Sequence, residues 1–190
     1  LLILIQGAVG WYMVKSGLVE NITVSHFRLA LHLNLALILF SATFWYLLNL
    51  KNQKNKIFFN FSNNSIYIKI FILLIFLQIT FGAFTSGLDA GMIYQTWPLM
   101  NENYFPDDVV FSKNLMSLLS QESFVQFAHR NLAYFIILYT LIILIYILYK
   151  RKTHLYNAAF FLLFMIFFQA LLGILTLTSG VNIVYASMHQ

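Results

Sequence analysis

Four stretches of this chain, Phe27–Leu48, Ile66–Ser86, Val125–Tyr149 and Leu155–Leu177, are apolar and long enough to cross a membrane. Crossing ~30 Å of hydrocarbon takes about 20 residues in a helix. The runs do not alternate in polarity, and only a helix satisfies its own backbone over such lengths in lipid. An all-α, polytopic transmembrane bundle is therefore expected. Composition agrees, since only 9% of residues are charged. A soluble domain carries about 25%, so lipid must solvate much of this surface.

Two shorter apolar stretches, Leu1–Val14 and Ile183–Gln190, flank the four spans. The first lacks the basic start and small-residue cleavage site of a signal peptide. It reads as the second half of a helix, and Ile183–Gln190 as the start of another. Lys51, Lys54 and Lys56 fall between the second and third segments, and Lys150, Arg151 and Lys152 between the fourth and fifth. Both loops belong on the cytoplasmic or matrix side. The net charge of +5 is thus membrane topology and argues against a nucleic-acid partner. The loop Gly87–Phe124 carries Asp89, Glu102, Asp107, Asp108 and Glu122 against Lys113, which places it outside. Its length of about 38 residues is unusual for a bare connection, so it is expected to cover something. Cysteine is absent, so no disulfide or thiolate chemistry is open to these residues.

A repeat runs through the chain. Gln6-x3-Gly10 precedes Ser16-Gly17-Leu18, Gln78-x3-Gly82 precedes Ser86-Gly87-Leu88, and Gln169-x3-Gly173 precedes Ser179-Gly180-Val181. After each comes a returning segment with a histidine near its outer end: His32, His129 and His189. Repeated helical hairpins point to a pseudo-symmetric bundle with a site between the repeats.

An ionisable residue inside a span is expensive and usually functional. His32 lies about six residues into its span, roughly 8 Å along the helix at ~1.5 Å per residue. His129 and His189 occupy similar depths. One such imidazole reads as a hydrogen bond across a helix interface. Three at equivalent repeat positions read as ligands. Haem iron takes axial imidazole, and bundle cores hold cofactors between facing helices. Zinc prefers three or four clustered donors, whereas the spans have almost no carboxylates and no HExxH. Arg130 follows His129, and Arg28 lies one turn before His32. Each arginine either pairs with a haem propionate or snorkels to the headgroups. His26 at the membrane edge and His154 in the basic inner loop read as interfacial and solvated. Glu20, in a short outer loop, reads as a solvated acid. The aromatic segment Tyr94–Met100 of the outer loop is either a lid over the histidine layer or an interface anchor.

These residues resemble the haem A synthase family. GAFTSGLDAGMIYQTWPLM, Gly82 to Met100, is similar to the family's signature segment, and VQFAHRNLAY, Val125 to Tyr134, to its first haem-ligand motif in the C-terminal half. QGAVGWYMVKSGL, Gln6 to Leu18, and RLALH, Arg28 to His32, resemble the segments around the second histidine of the N-terminal half. QALLGILTLTSGV, Gln169 to Val181, with His189-Gln190, resembles the last helical pair. The chain departs from the family in lacking the first two helices with their Glu- and His-bearing motif. It looks like the cysteine-free subgroup that includes mitochondrial members.

The resemblance implies eight helices in two pseudo-repeated four-helix halves. Residues 1–65 would be the remainder of the N-terminal half, holding the substrate haem through His32 and a histidine on an earlier helix. Residues 66–190 would be the C-terminal half, incomplete at its end, holding haem b through His129 and His189. The implied reaction oxidises a ring methyl of haem O to the formyl group of haem A by two hydroxylations and loss of water. The implied partners are haem O, the lipid bilayer, haem O synthase and an electron donor, with a homo-oligomer left open. The implied location is the bacterial cell inner membrane or the mitochondrial inner membrane. A non-catalytic dihaem electron-transfer subunit would use the same histidine pairs without a substrate. A proton-relay transporter would want its polar residues at the bilayer midplane.

Overall fold

The computed structural model describes residues 1–17, 23–51, 66–111 and 114–190. Leu18, Glu20, Lys54, Lys56, Lys113 and the boundary at residue 65 lie outside the described residues. The helices are α1 (Leu2–Val14), α2 (His26–Lys51), α3 (Ile66–Gly87), α4 (Leu115–Leu118), α5 (Glu122–Tyr149), α6 (Tyr156–Thr178) and α7 (Ile183–His189). Short 3-10 turns lie at Ala90–Met92 and Thr153–Leu155. Among the described residues there is no strand, only an isolated bridge between Met100 and Asn103. Four helices are long and apolar enough to cross a membrane, namely α2, α3, α5 and α6 with the turn before it. They coincide with the four expected spans, and the chain is that of a multi-pass membrane protein. Large apolar side chains stand exposed along them, such as Phe40, Phe44, Phe161 and Phe164, as helices that are apolar all round do in lipid.

The chain divides into two compact units, Leu1–Gly87 and Leu88–Gln190. This division by packing falls one helix later than the division by repeat at residue 65, because α3 packs on α2. In the first unit α1 and α3 both lie against α2. Ala30 and Ala83 are buried there, and small residues let helix backbones approach in lipid. Phe27 meets Phe84 edge-on at 5.2 Å. Deeper in the unit, Asn34 Nδ2 donates to Thr80 Oγ1 at 3.0 Å, a polar tie between α2 and α3.

In the second unit α6 packs against both α5 and α7. Ile136, Thr140 and Leu144 are buried at one-turn spacing and give α5 a single inward stripe. Ala159 and Leu172 are the buried residues of α6. Past Thr178 the chain reverses sharply. Gly180 takes φ +71°, a conformation that side chains disfavour. Asn182 then caps α7 by accepting from the Val184 N–H at 3.0 Å. The turn makes the two arms equal: Gln169 lies ten residues before Ser179 and His189 ten after it. That register brings the two side by side.

Candidate functional site

The repeat positions meet in space. In the first unit Gln6 of α1 donates from Nε2 to the His32 carbonyl of α2 at 3.2 Å. The same nitrogen lies 3.3 Å from each ring nitrogen of His32. In the second unit Gln169 of α6 donates from Nε2 to the His189 carbonyl of α7. His189 Nδ1 lies 3.0 Å from the Gln169 carbonyl oxygen. As the carbonyl can only accept, Nδ1 carries the proton and donates. Nε2 then has a lone pair for an acid or a metal.

His129 of α5 and His189 of α7 face one another with ring centroids 6.3 Å apart and planes at 84°. The structure thus brings these two sequence candidates together. His32 stays with Gln6 in the other unit. Among the described residues no cluster of three or more His, Cys, Asp or Glu forms.

Both candidate arginines bind backbone. Arg28 donates from Nη1 to the Tyr12 carbonyl at 2.9 Å and lies 3.8 Å over the Tyr12 ring. Arg130 donates from Nη1 to the carbonyls of Thr96 at 2.9 Å and Leu99 at 3.4 Å, and from Nη2 to that of Tyr94 at 2.7 Å. Its Nε is buried without a partner. His26 is wedged against Phe27 and Phe84, with centroids at 4.0 and 5.4 Å. His154 is exposed in the 3-10 turn Thr153–Leu155.

The family model for cytochrome oxidase assembly protein matches residues 1–190. The chain belongs to the cytochrome oxidase assembly protein family. It is 46% identical to the heme A synthase of Pelagibacter ubique, covering 100% of this chain and 55% of that protein. It is 38% identical to the heme A synthase of Rickettsia africae, covering 100% and 57%. It is 40% identical to that of Wolbachia pipientis wMel, covering 98% and 52%. The chain spans about half the length of these relatives. No solved structure matches it.

In this family member the loop that follows α3 lies against the stretch of α5 that carries His129. Gln126 donates to the Tyr94 carbonyl at 3.0 Å, Trp97 Nε1 donates to Tyr134 Oη at 2.8 Å, and Tyr104 bonds Asn131. Asp108 accepts from Tyr94 Oη at 2.8 Å and from Ser123 Oγ at 2.5 Å. Sequence reading missed this network, whose members are ordinary polar residues. The acidic balance of the loop was the only signal in the sequence. The Ser123 hydroxyl holds the Asp108 carboxyl below its ordinary value, against the opposing effect of burial and with help from Tyr94. Burial, followed by the bond to Asp108, raises the Tyr94 phenol. Because the folded carboxyl titrates lower than the unfolded one, its contribution is complete above the ordinary carboxylate range. It disappears as pH falls through the depressed folded value. Asp108→Asn should loosen the loop at neutral pH as acid does in the parent. Severalfold faster cleavage between Tyr94 and Ser123 by an externally added protease is the expected reading. Equal resistance would show that this network does not hold the loop.

Proposed function

We propose that this chain is part of a haem A synthase. The whole protein would oxidise a ring methyl of haem O to the formyl group of haem A. Each of two hydroxylations would insert one atom of dioxygen into a C–H bond of the methyl, the other atom leaving as water with two electrons from a donor and two protons, and the resulting geminal diol would lose water to give the aldehyde. The 6.3 Å opposition of His129 and His189 carries the reading, in a chain whose relatives are named heme A synthase.

The residues fit a resident haem b. Imidazole is a ligand for haem iron, and His129 and His189, facing one another at 6.3 Å on two helices, would be the pair that holds it. The Nδ1 bond of His189 to the Gln169 carbonyl leaves Nε2 as the ligand atom. Arg130, beside His129, keeps a buried, unpartnered Nε–H that suits a propionate oxygen. Bound there, haem b supplies a one-electron redox centre within the membrane. His129 and His189 would hold it, and Arg130 and Gln126, bonded to the loop carbonyls, would keep the loop over His129 and water from that end of the site.

Residues 1–65 then belong to the half that takes the substrate haem, with His32 as its ligand and Arg28 near its carboxylates. Residues 66–190 belong to the haem b half. The remaining ligand and a carboxylate come from the rest of the protein. Haem O synthase supplies the substrate, and a separate donor supplies electrons. The bacterial relatives favour the cell inner membrane.

The full-length gene, expressed in a strain that makes haem O but no haem A, is expected to yield haem A on chromatography of extracted haems. Unconverted haem O beside well-expressed protein would overturn the assignment and favour a purely electron-carrying subunit.

A further inference from the structure

The same residue pair recurs beside two of the three histidines. A Cβ on Gly10 would sit 2.9 Å from His32 Cε1, and one on Gly173 would sit 2.8 Å from His189 Cε1. Real side chains do not approach so closely, so each glycine is the clearance that admits the imidazole. Gly7, on the same helix as Gly10, has nothing within 4 Å of its would-be Cβ. Tight packing is therefore specific to the repeat position and not a property of every glycine in α1.

The glutamine four residues earlier completes the seat. In a helix the carbonyl of residue i accepts from the N–H of residue i+4, so the Gln169 carbonyl lies beside Gly173. With no Cβ there, that carbonyl is open to His189 Nδ1 at 3.0 Å. The glutamine side chain meanwhile reaches the backbone carbonyl of the histidine it faces, at His32 and at His189 alike. One side chain thus pins the helix that carries the histidine, and one missing side chain lets the ring dock. At His32 the Gln6 amide lies against the ring itself, and Gln6 Oε1 is buried with no partner.

We infer, on the reading that His189 and His32 are haem ligands, that Gln169 with Gly173 and Gln6 with Gly10 are positioning residues. They set the depth of the two imidazoles, and the Gln169 carbonyl sets the bonded nitrogen of His189. None of the four touches the reacting atoms.

Full-length protein carrying Gly173→Ala, Gln169→Ala, Gly10→Ala, Gln6→Ala, Gly7→Ala or His189→Ala tests this. Alanine is the better helix former at each glycine, so the glycine variants should still insert. The two glutamine variants add no bulk and keep the test open if a glycine variant does not accumulate. Gly173→Ala and Gln169→Ala are expected to lower haem b affinity roughly 10–100-fold, as loss of a supporting contact to a ligand does. They should also shift the electron paramagnetic resonance g values of the low-spin haem. Gly10→Ala and Gln6→Ala should leave that signal intact and slow haem O conversion. Gly7→Ala should change neither. Wild-type affinity and g values in both Gly173→Ala and Gln169→Ala, with the signal lost in His189→Ala, would refute the positioning role and leave the haem reading standing. An unchanged signal in His189→Ala would instead remove the ligand assignment, and the positioning role with it.

Discussion

Replacing His129 or His189 by Ala in the full-length protein is expected to abolish its low-spin, six-coordinate b-type spectrum. The rings stand 6.3 Å apart, and on the proposed function each would supply one imidazole to the haem iron. Truncating either ring would leave the iron with one imidazole, and the six-coordinate form would not persist. The loss should be nearly complete, because among the described residues no further His, Cys, Asp or Glu joins the pair in a metal-binding group. His154→Ala is the matched control, since that side chain is exposed in the turn between α5 and α6. Visible and electron paramagnetic resonance spectra of purified protein read the result. An unaltered spectrum in both ligand variants would place haem b elsewhere.

His32→Ala should have an equally large effect of another kind. His32 is held by Gln6 in the unit Leu1–Gly87, whereas His129 and His189 meet in Leu88–Gln190. If the halves divide the work, loss of His32 removes a ligand to the substrate haem and leaves haem b in place. Haem O conversion is expected to fall by about a hundredfold or more, with the b-type spectrum retained. The magnitude follows from the dependence of rate on positioning, where misplacing a reactant by ~1 Å costs about 10²-fold. Chromatography of extracted haems measures the first quantity and spectroscopy the second. Loss of the b-type spectrum in His32→Ala would contradict the division of labour. So would normal haem A formation.

The membrane-spanning helices were legible because hydropathy is a local property. Most residues of Ile66–Ser86 and Val125–Tyr149 meet apolar surroundings, whether lipid or a neighbouring helix, so length and composition alone determine a helix there. The Gln-x3-Gly spacing was legible for the same reason, since residues four apart share a helix face. What the pattern served was not. The helix-to-helix approach that makes Gly173 the clearance for His189 depends on the turn at Gly180, and the meeting of His129 with His189 depends on how α5 and α7 flank α6. Arg130 shows the limit most clearly. From sequence it reads as a propionate partner or a headgroup contact. Folding sends its Nη1 and Nη2 to the carbonyls of Tyr94, Thr96 and Leu99. A half-buried guanidinium is costly unless acceptors surround it. The loop supplies three carbonyls, and only the closing of the chain decides which those are.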